Sequence, residues 1–302
     1  MNKKELILKI NKLKKDRNAV LLVHNYQRSD IQEIADILGD SLDLARRAVE
    51  VDAETIVFCG VRFMAETAKI LSPDKMVLLP QSDAGCPMAD MVTVDDVREL
   101  RKKHPKAAVV SYVNSSAEVK AEVDVCCTSS NALEVVTNIE SDEIIFVPDR
   151  NLASYCQRFT KKKIILWAGH CYVHARITAD EVLKAQKAMP DAVLLVHPEC
   201  NPDVVDLADE VLSTNGMMSF VKNSQKKAFL IATEEGLIHR LKRENPGRHF
   251  YAAGSVKTCF NMKKITLQDI YLSLLKEKTQ VVLSDKVSKA AKKALEQMIR
   301  YG

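Results

Sequence analysis

The sequence predicts an α/β fold, built as three homologous α/β/α domains with parallel sheets around a pseudo-threefold axis, over residues 1–105, 106–190 and 191–302. Three observations lead there. Matching segments recur at offsets of 88 and 85 residues. Within each recurrence, short apolar β-branched runs alternate with amphipathic stretches, the pattern of buried parallel strands joined by right-handed helical crossovers. The unit is also far longer than solenoid repeats, which run about 20–50 residues, so each copy can form a small domain.

The elements follow in order. The opening stretch, MNKKELILKINKLKKDR, places Leu6, Ile7, Ile10 and Leu13 on one side of an amphipathic helix. AVLLVHNY (19–26) returns as AAVVSYVN (107–114) and AVLLVHPE (192–199), so His24, Tyr112 and His197 occupy equivalent strand ends. DILGDS, DVCCTS and DEVLST put Ser41, Ser129 and Thr214 in one slot. IVFCG, IIFVP and FLIAT align Phe58, Phe146 and Ile231 at the same offsets. Each unit then enters a helix opened by a threonine, Thr93, Thr178 or Thr266, with an acidic or amide-bearing first turn that marks an N-cap. The expected order within a unit is strand, helix, strand, short helix, strand, loop, helix. A last apolar run, TQVVLS (279–284), has no complete unit behind it, and the pattern assigns it to no sheet.

Composition narrows the function classes. The chain is 47% apolar and 28% charged, which excludes disorder. Its net charge of +4 is the balance of 44 basic and 40 acidic residues, too even to point to nucleic acid or a membrane surface. No apolar run reaches the roughly 18 residues of a membrane span, and the N-terminal stretch lacks the apolar core and small-residue cleavage site of a secretory signal. A cytoplasmic protein is expected, and there eight cysteines call for metal or catalysis rather than disulfides.

Repeat symmetry sorts those cysteines. Cys86, Cys171 and Cys259 keep the repeat offsets and are expected in the loop between a unit's third strand and its capped helix. Residues related by a threefold axis converge when their loops point toward it, and three thiolates from three loops make a metal site. Three cysteines leave one metal position without a protein ligand, which suits a 4Fe–4S cluster, one per chain, whose open iron acts as a Lewis acid. Cys171 and His174 also show the C-x-x-H spacing of zinc sites, but neither Cys86 nor Cys259 adds a second pair, so zinc is the lesser alternative. Cys59, Cys126, Cys127, Cys156 and Cys200 read as small apolar packing residues.

The first-strand ends collect His24, Asn25 and Tyr26, then Tyr112 and Asn114, then His197 and Glu199. Ligands of α/β sheets bind beyond the carboxyl ends of strands. Histidine, tyrosine and glutamate there supply acid/base chemistry near neutral pH. The hydroxyls Ser41, Ser129 and Thr214, with nearby backbone N–H groups, suit a carboxylate or phosphate. No Walker loop or G-x-G-x-x-G supports a nucleotide fold, and His104, His170, His239 and His249 receive no role.

These residues resemble the quinolinate synthase family. The resemblance rests on HNYQ (24–27), GDS (39–41), GVRFMAETAKIL (60–71), CPMAD (86–90) and YVNSSAEVKAEVD (112–124). It continues through TSSNA (128–132), PDRNLA (148–153), GHCYVH (169–174), VHPEC (196–200), STNGM (213–217), ATEEGLIHRL (232–241) and CFNMKKITL (259–267). It implies an enzyme of NAD biosynthesis that condenses iminoaspartate with dihydroxyacetone phosphate to quinolinate, phosphate and water. It also implies transient contact with the enzyme that makes iminoaspartate. By motif, Cys86, Cys171 and Cys259 hold a 4Fe–4S cluster, and His24, Tyr26, Tyr112, His197 and Glu199 are catalytic. His24, Ser41, Tyr112, Asn114, Ser129, His197, Glu199 and Thr214 match substrate-binding positions. Arg62, Asp90 and Asn215 depart from the expected acidic residue, asparagine and glycine, and none of the three removes a ligand or an acid/base group. Two rivals are an oxygen-responsive cluster sensor, which would need no converging His/Tyr/Glu set, and a hydro-lyase, which would need no phosphate-binding group.

Overall fold

The structure is a computed structural model that describes residues 2–301; residues 1 and 302, the outer ends of the first and third expected domains, lie outside the described residues. The first unit comprises α1 (Lys3–Asp16), β1 (Ala19–His24), α2 (Ser29–Gln32), β2 (Ile37–Gly39), α3 (Ser41–Glu50), β3 (Thr55–Cys59), α4 (Arg62–Leu71), β4 (Met76–Leu78) and α5 (Val94–Lys103). The second comprises β5 (Ala108–Tyr112), α6 (Ala117–Lys120), β6 (Val125–Cys127), α7 (Ala132–Asn138), β7 (Glu143–Val147), α8 (Arg150–Gln157), β8 (Lys163–Leu166) and α9 (Ala179–Ala188). The third comprises β9 (Val193–Val196), α10 (Pro202–Val205), β10 (Glu210–Val211), α11 (Thr214–Asn223), β11 (Ala228–Ala232), α12 (Gly236–Glu244), β12 (His249–Ala252) and α13 (Leu267–Lys276), and α14 (Asp285–Arg300) follows.

Among the described residues the strands form three four-stranded parallel sheets with the same order, β2-β1-β3-β4, β6-β5-β7-β8 and β10-β9-β11-β12. The central strands carry AVLLVH, TIVFC, EIIFV and AFLIA, apolar on both faces because helices cover both sides. Each unit therefore has one strand and one helix more than the sequence pattern indicates. The fourth strands, β4, β8 and β12, are edge strands of three or four residues; the second strands β2, β6 and β10 are no longer, but each lies in an aligned landmark, DILGDS, DVCCTS or DEVLST, and the fourth strands lie in none. The cysteine loops consequently follow the fourth strand, not the third.

The three threonines are N-caps with complete capping boxes, pairing Thr93 with Asp96, Thr178 with Glu181 and Thr266 with Asp269. Each capped helix packs on the unit that follows. Helix α5 docks on the second unit, where Arg101 donates to Glu122 O at 3.1 and 3.0 Å and pairs with Asp124 at 2.9 Å. Helix α9 packs on α10 and β11, and α13 returns to α1 and β3. The last contact closes the ring. The unassigned run 279–284 lies antiparallel along edge strand β4, through Leu79 N–H to Thr279 O at 3.1 Å and Val281 N–H to Val77 O at 2.8 Å. It shields an otherwise open sheet edge. Helix α14 then crosses to α4, α6 and β6, burying Ala291, Ala294, Leu295 and Met298.

Glu181 serves two structures at once. Besides its capping box it accepts from Ser255 and from Lys257 Nζ at 2.9 Å, tying α9 to the loop that leads to Cys259. Burial opposes its charge, but the hydrogen bonds from Ser255 and Lys257 outweigh that and hold the carboxyl down at about 2. A carboxyl lowered on folding stabilises fully above the unfolded value of 4.5 and loses that contribution as pH falls toward 2. The midpoint of thermal unfolding should therefore fall less steeply below pH 4.5 in Glu181→Gln than in the parent chain. Equal slopes would show that the tether contributes nothing to acid stability.

Candidate active site

Parallel strands end on the same side, so three sheets around one axis deliver their chemistry to a common space. His24 and Tyr112 are the last residues of β1 and β5, and His197 directly follows β9. Ser41 and Thr214 are the first residues of α3 and α11, while Ser129 lies in the turn before α7. Twelve of the thirteen residues singled out in the sequence line one cavity: His24, Tyr26, Ser41, Cys86, Tyr112, Asn114, Ser129, Cys171, His197, Glu199, Thr214 and Cys259; Asn25 lies behind its wall, its amide donating to Thr214 Oγ1 at 2.9 Å. Free space inside it amounts to about 70 Å³. Among the described residues no lysine or arginine lines the cavity.

The two histidines at strand ends share one local device. The Tyr26 N–H donates to His24 Nδ1 at 3.1 Å, and the Glu199 N–H donates to His197 Nδ1 at 3.4 Å. A ring nitrogen that accepts leaves the hydrogen on Nε2. His197 Nε2 lies 3.2 Å from Ser129 Oγ. Burial, with Lys263 beside His24 and His174 beside His197, pulls both imidazoles down to about 3. They are neutral donors, not cations. Burial and the Glu199 charge push the Tyr26 and Tyr112 phenols up, so both keep their protons.

Glu199 sits at the centre, 3% exposed. Burial opposes its charge, yet the His174 ring at 2.9 Å, His197 and a hydrogen bond from the Tyr112 hydroxyl together hold the carboxyl low. His174 stacks on His197 with ring centres 4.5 Å apart. Its Nε2 is 2.8 Å from Thr233 Oγ1, which is 2.6 Å from the Tyr26 hydroxyl. Contacts thus run from Tyr26 through Thr233 and His174 to Glu199, hydrogen bonds as far as His174 Nε2 and then a 2.9 Å ion-pair contact that is poorly aligned as a hydrogen bond.

Sequence reading missed His174 and Thr233 as members of this site. The His174 spacing from Cys171 is visible, but it reads as a zinc pair; its partners Glu199 and Thr233 lie in another unit. Thr233 closes the FLIAT landmark, but its repeat equivalents are Gly60 and Pro148, so no recurring polar residue marks the slot. Near the axis, Ser130 Oγ lies 2.8 Å from both Asp40 Oδ2 and Ser213 Oγ, joining one residue from each unit beside the Ser41, Ser129 and Thr214 hydroxyls.

Cys86, Cys171 and Cys259 are partly exposed toward the cavity, whereas the other five cysteines are buried. Each of the three is followed by a short 3-10 turn, Ala89–Met91, His174–Arg176 or Met262–Lys264. The backbone N–H three residues on, at Ala89, His174 or Met262, bonds to the sulfur and favours its thiolate. Burial still pushes the Cys86 thiol up to about 12 and raises the other two. Three such thiols lining one cavity stay protonated unless a cation holds them. This donor set fits an iron–sulfur cluster, whose sulfur ligands are commonly hydrogen-bonded by backbone N–H groups. Cys171, His174 and Glu199 offer a second donor group with ligand atoms within 4.8 Å of one another. Its imidazole and carboxylate already engage each other and Thr233.

The family model described as Quinolinate synthetase A protein matches residues 8–300. A quinolinate synthase from Alkaliphilus metalliredigens is 52% identical over 300 residues, covering 99% of this chain and 99% of its own length. Another from Methanoregula boonei is 51% identical over 290 residues, with 96% of each chain covered. One from a Geobacter species is 52% identical over 299 residues, covering 99% of this chain and 98% of the relative. Agreement along nearly the whole length, and at half of all positions, means that the chain belongs to the quinolinate synthase family, enzymes of NAD biosynthesis.

Proposed function

We propose that this protein condenses iminoaspartate with dihydroxyacetone phosphate to give quinolinate, phosphate and water, with a 4Fe–4S cluster on Cys86, Cys171 and Cys259. The observation that carries this reading is the meeting of three repeat-equivalent thiols with a neutral His/Tyr and carboxylate set in one cavity. When bound, the cluster supplies Lewis acidity at the iron that no cysteine holds.

The rest falls to the chain's own groups. Ser41, Ser129 and Thr214 hold the substrates' carboxylate and phosphate oxygens by neutral hydrogen bonds, with Asn114 as an adjacent amide. His24 and His197 turn Nε2–H donors toward oxygens that gain charge, and burial makes such donors effective without reorganisation. Glu199 accepts a proton as the carbon–carbon bond forms. Tyr26 returns one at ring closure and dehydration, with Thr233 and His174 connecting the two. Tyr112 keeps the Glu199 carboxylate in place.

Anaerobically purified protein given both substrates should release quinolinate and inorganic phosphate in equal amounts, and omission of the triose phosphate should abolish both. Quinolinate formation by iron-free protein would overturn the proposal. Product without the triose phosphate would favour the hydro-lyase rival.

A further inference from the structure

The three cysteine loops are equivalent in sequence but not in how they are held. One backbone bond recurs in every unit: Arg62 N–H to Ala84 O at 2.8 Å, Arg150 N–H to Gly169 O at 2.9 Å, and Glu235 N–H to Lys257 O at 3.0 Å. These three bonds sit at the repeat offsets of 88 and 85 and pin each loop two residues before its cysteine.

The first unit's loop is also held upstream of Gly85, by Arg62 Nη2 to Ser82 O at 2.8 Å and Lys264 Nζ to Asp83 O at 2.8 Å, but among the described residues an acceptor for the cysteine's own N–H is present in two units. Asp149 Oδ2 accepts the Cys171 N–H at 3.2 Å, and Glu234 Oε1 accepts the Cys259 N–H at 3.0 Å. Asp149 and Glu234 are themselves repeat-equivalent, and both are fully buried. Each is fixed from behind. The other oxygen of Asp149 caps α8 by accepting Leu152 N–H at 2.7 Å. The other oxygen of Glu234 accepts Gly236 N–H at 2.6 Å, and Lys263 pairs with the carboxylate at 3.0 Å. In the first unit the same position is Val61, which has no acceptor to offer. Among the described residues no hydrogen-bond partner meets the Cys86 N–H, and a Cβ added to the preceding Gly85 would touch nothing within 4 Å.

We propose that Asp149 and Glu234 are paired positioning residues that fix the Cys171 and Cys259 loops, and that Val61 in the corresponding place leaves Cys86 as the exchangeable ligand of the three. A backbone N–H bonded to a buried carboxyl oxygen must lose that partner before its loop can open, with no water at hand to replace it. Two loops so anchored hold their sulfurs when a metal ligand is lost, while the third can swing away and return. The lability of Cys86 rests on the three-cysteine reading above. The anchoring of the loops does not.

Two measurements separate those parts. Amide hydrogen exchange on the iron-free full chain should show the Cys86 N–H exchanging at least about tenfold faster than those of Cys171 and Cys259, because only the latter two must break a hydrogen bond to open. Asp149→Asn should bring Cys171 up to the Cys86 rate and leave Cys259 unchanged, and Glu234→Gln should do the converse. Equal rates in the parent chain, or variants that leave the order intact, would overturn the anchoring. On the cluster-loaded chain, iodoacetamide added with an iron chelator should alkylate Cys86 first, as read by peptide mass spectrometry. Simultaneous labelling of all three would overturn Cys86 as the exchangeable ligand. A chain that binds no iron would overturn the cluster reading while leaving the exchange result to decide the anchoring. The parent chain's own exchange order suffices even if a variant fails to fold.

Discussion

Alanine at Cys86, Cys171 or Cys259, one at a time, should strip the anaerobically purified protein of iron, from about four atoms per chain to well below one, and abolish quinolinate formation. The reason is chelate geometry. Three loops each supply one sulfur; a sulfur that leaves transiently can return, but once one is permanently absent the other two do not retain the cluster through purification. Alanine at Cys59 or Cys156 should leave iron and turnover intact while costing about 1–2 kcal/mol of stability for the small cavity created. Cys59 is fully buried in β3 and Cys156 in α8, where they act as small apolar side chains. Iron determination and chemical denaturation separate the two classes. A fully loaded Cys171→Ala would mean that the cluster has other ligands.

Glu199→Gln should lower kcat by roughly 10²–10⁴-fold with iron content unchanged and KM little affected. The amide still accepts from the Tyr112 hydroxyl but carries no charge to accept a proton, and its NH₂ faces the His174 ring where a carboxylate oxygen lay 2.9 Å away. Stability should fall, since a carboxyl held low in the fold stabilises it as an anion and the amide leaves His174 without its charged partner, so turnover is compared well below the variant's unfolding midpoint. Unfolding curves therefore distinguish lost chemistry from lost structure. Tyr112→Phe provides the graded comparison. It removes one donor to Glu199 but leaves the relay through His174 and Thr233 to Tyr26, so its effect on kcat should be the smaller. A Glu199→Gln enzyme with parental kcat would exclude proton transfer at this residue.

The fate of particular residues shows why some of this was legible and some was not. Thr93, Thr178 and Thr266 are visible because an N-cap is a local event, settled by four consecutive residues. The cysteines are visible because duplication kept their offsets. The edge strands β4, β8 and β12 escaped because three or four residues carry too little periodicity and, unlike the similarly short β2, β6 and β10, they lie in no aligned landmark. His174 escaped as a relay member because its role is defined by Glu199 and Thr233, both from the third unit. Val61 looks like any buried valine until its repeat partners prove to be Asp149 and Glu234, each holding a cysteine N–H.

By itself the sequence determined the parallel α/β class, the threefold recurrence, the capped helices and the twelve residues that share the cavity. Those features follow from local propensity and from spacing along the chain. Tertiary structure alone decided that each capped helix packs on the next unit, that the run at 279–284 shields β4, and that Tyr26 connects to Glu199 through Thr233 and His174. It also decided that a buried carboxyl accepts the cysteine N–H in two of the three loops. These properties depend on groups far apart in sequence meeting at hydrogen-bond distance, which only the packing of three sheets around one axis brings about.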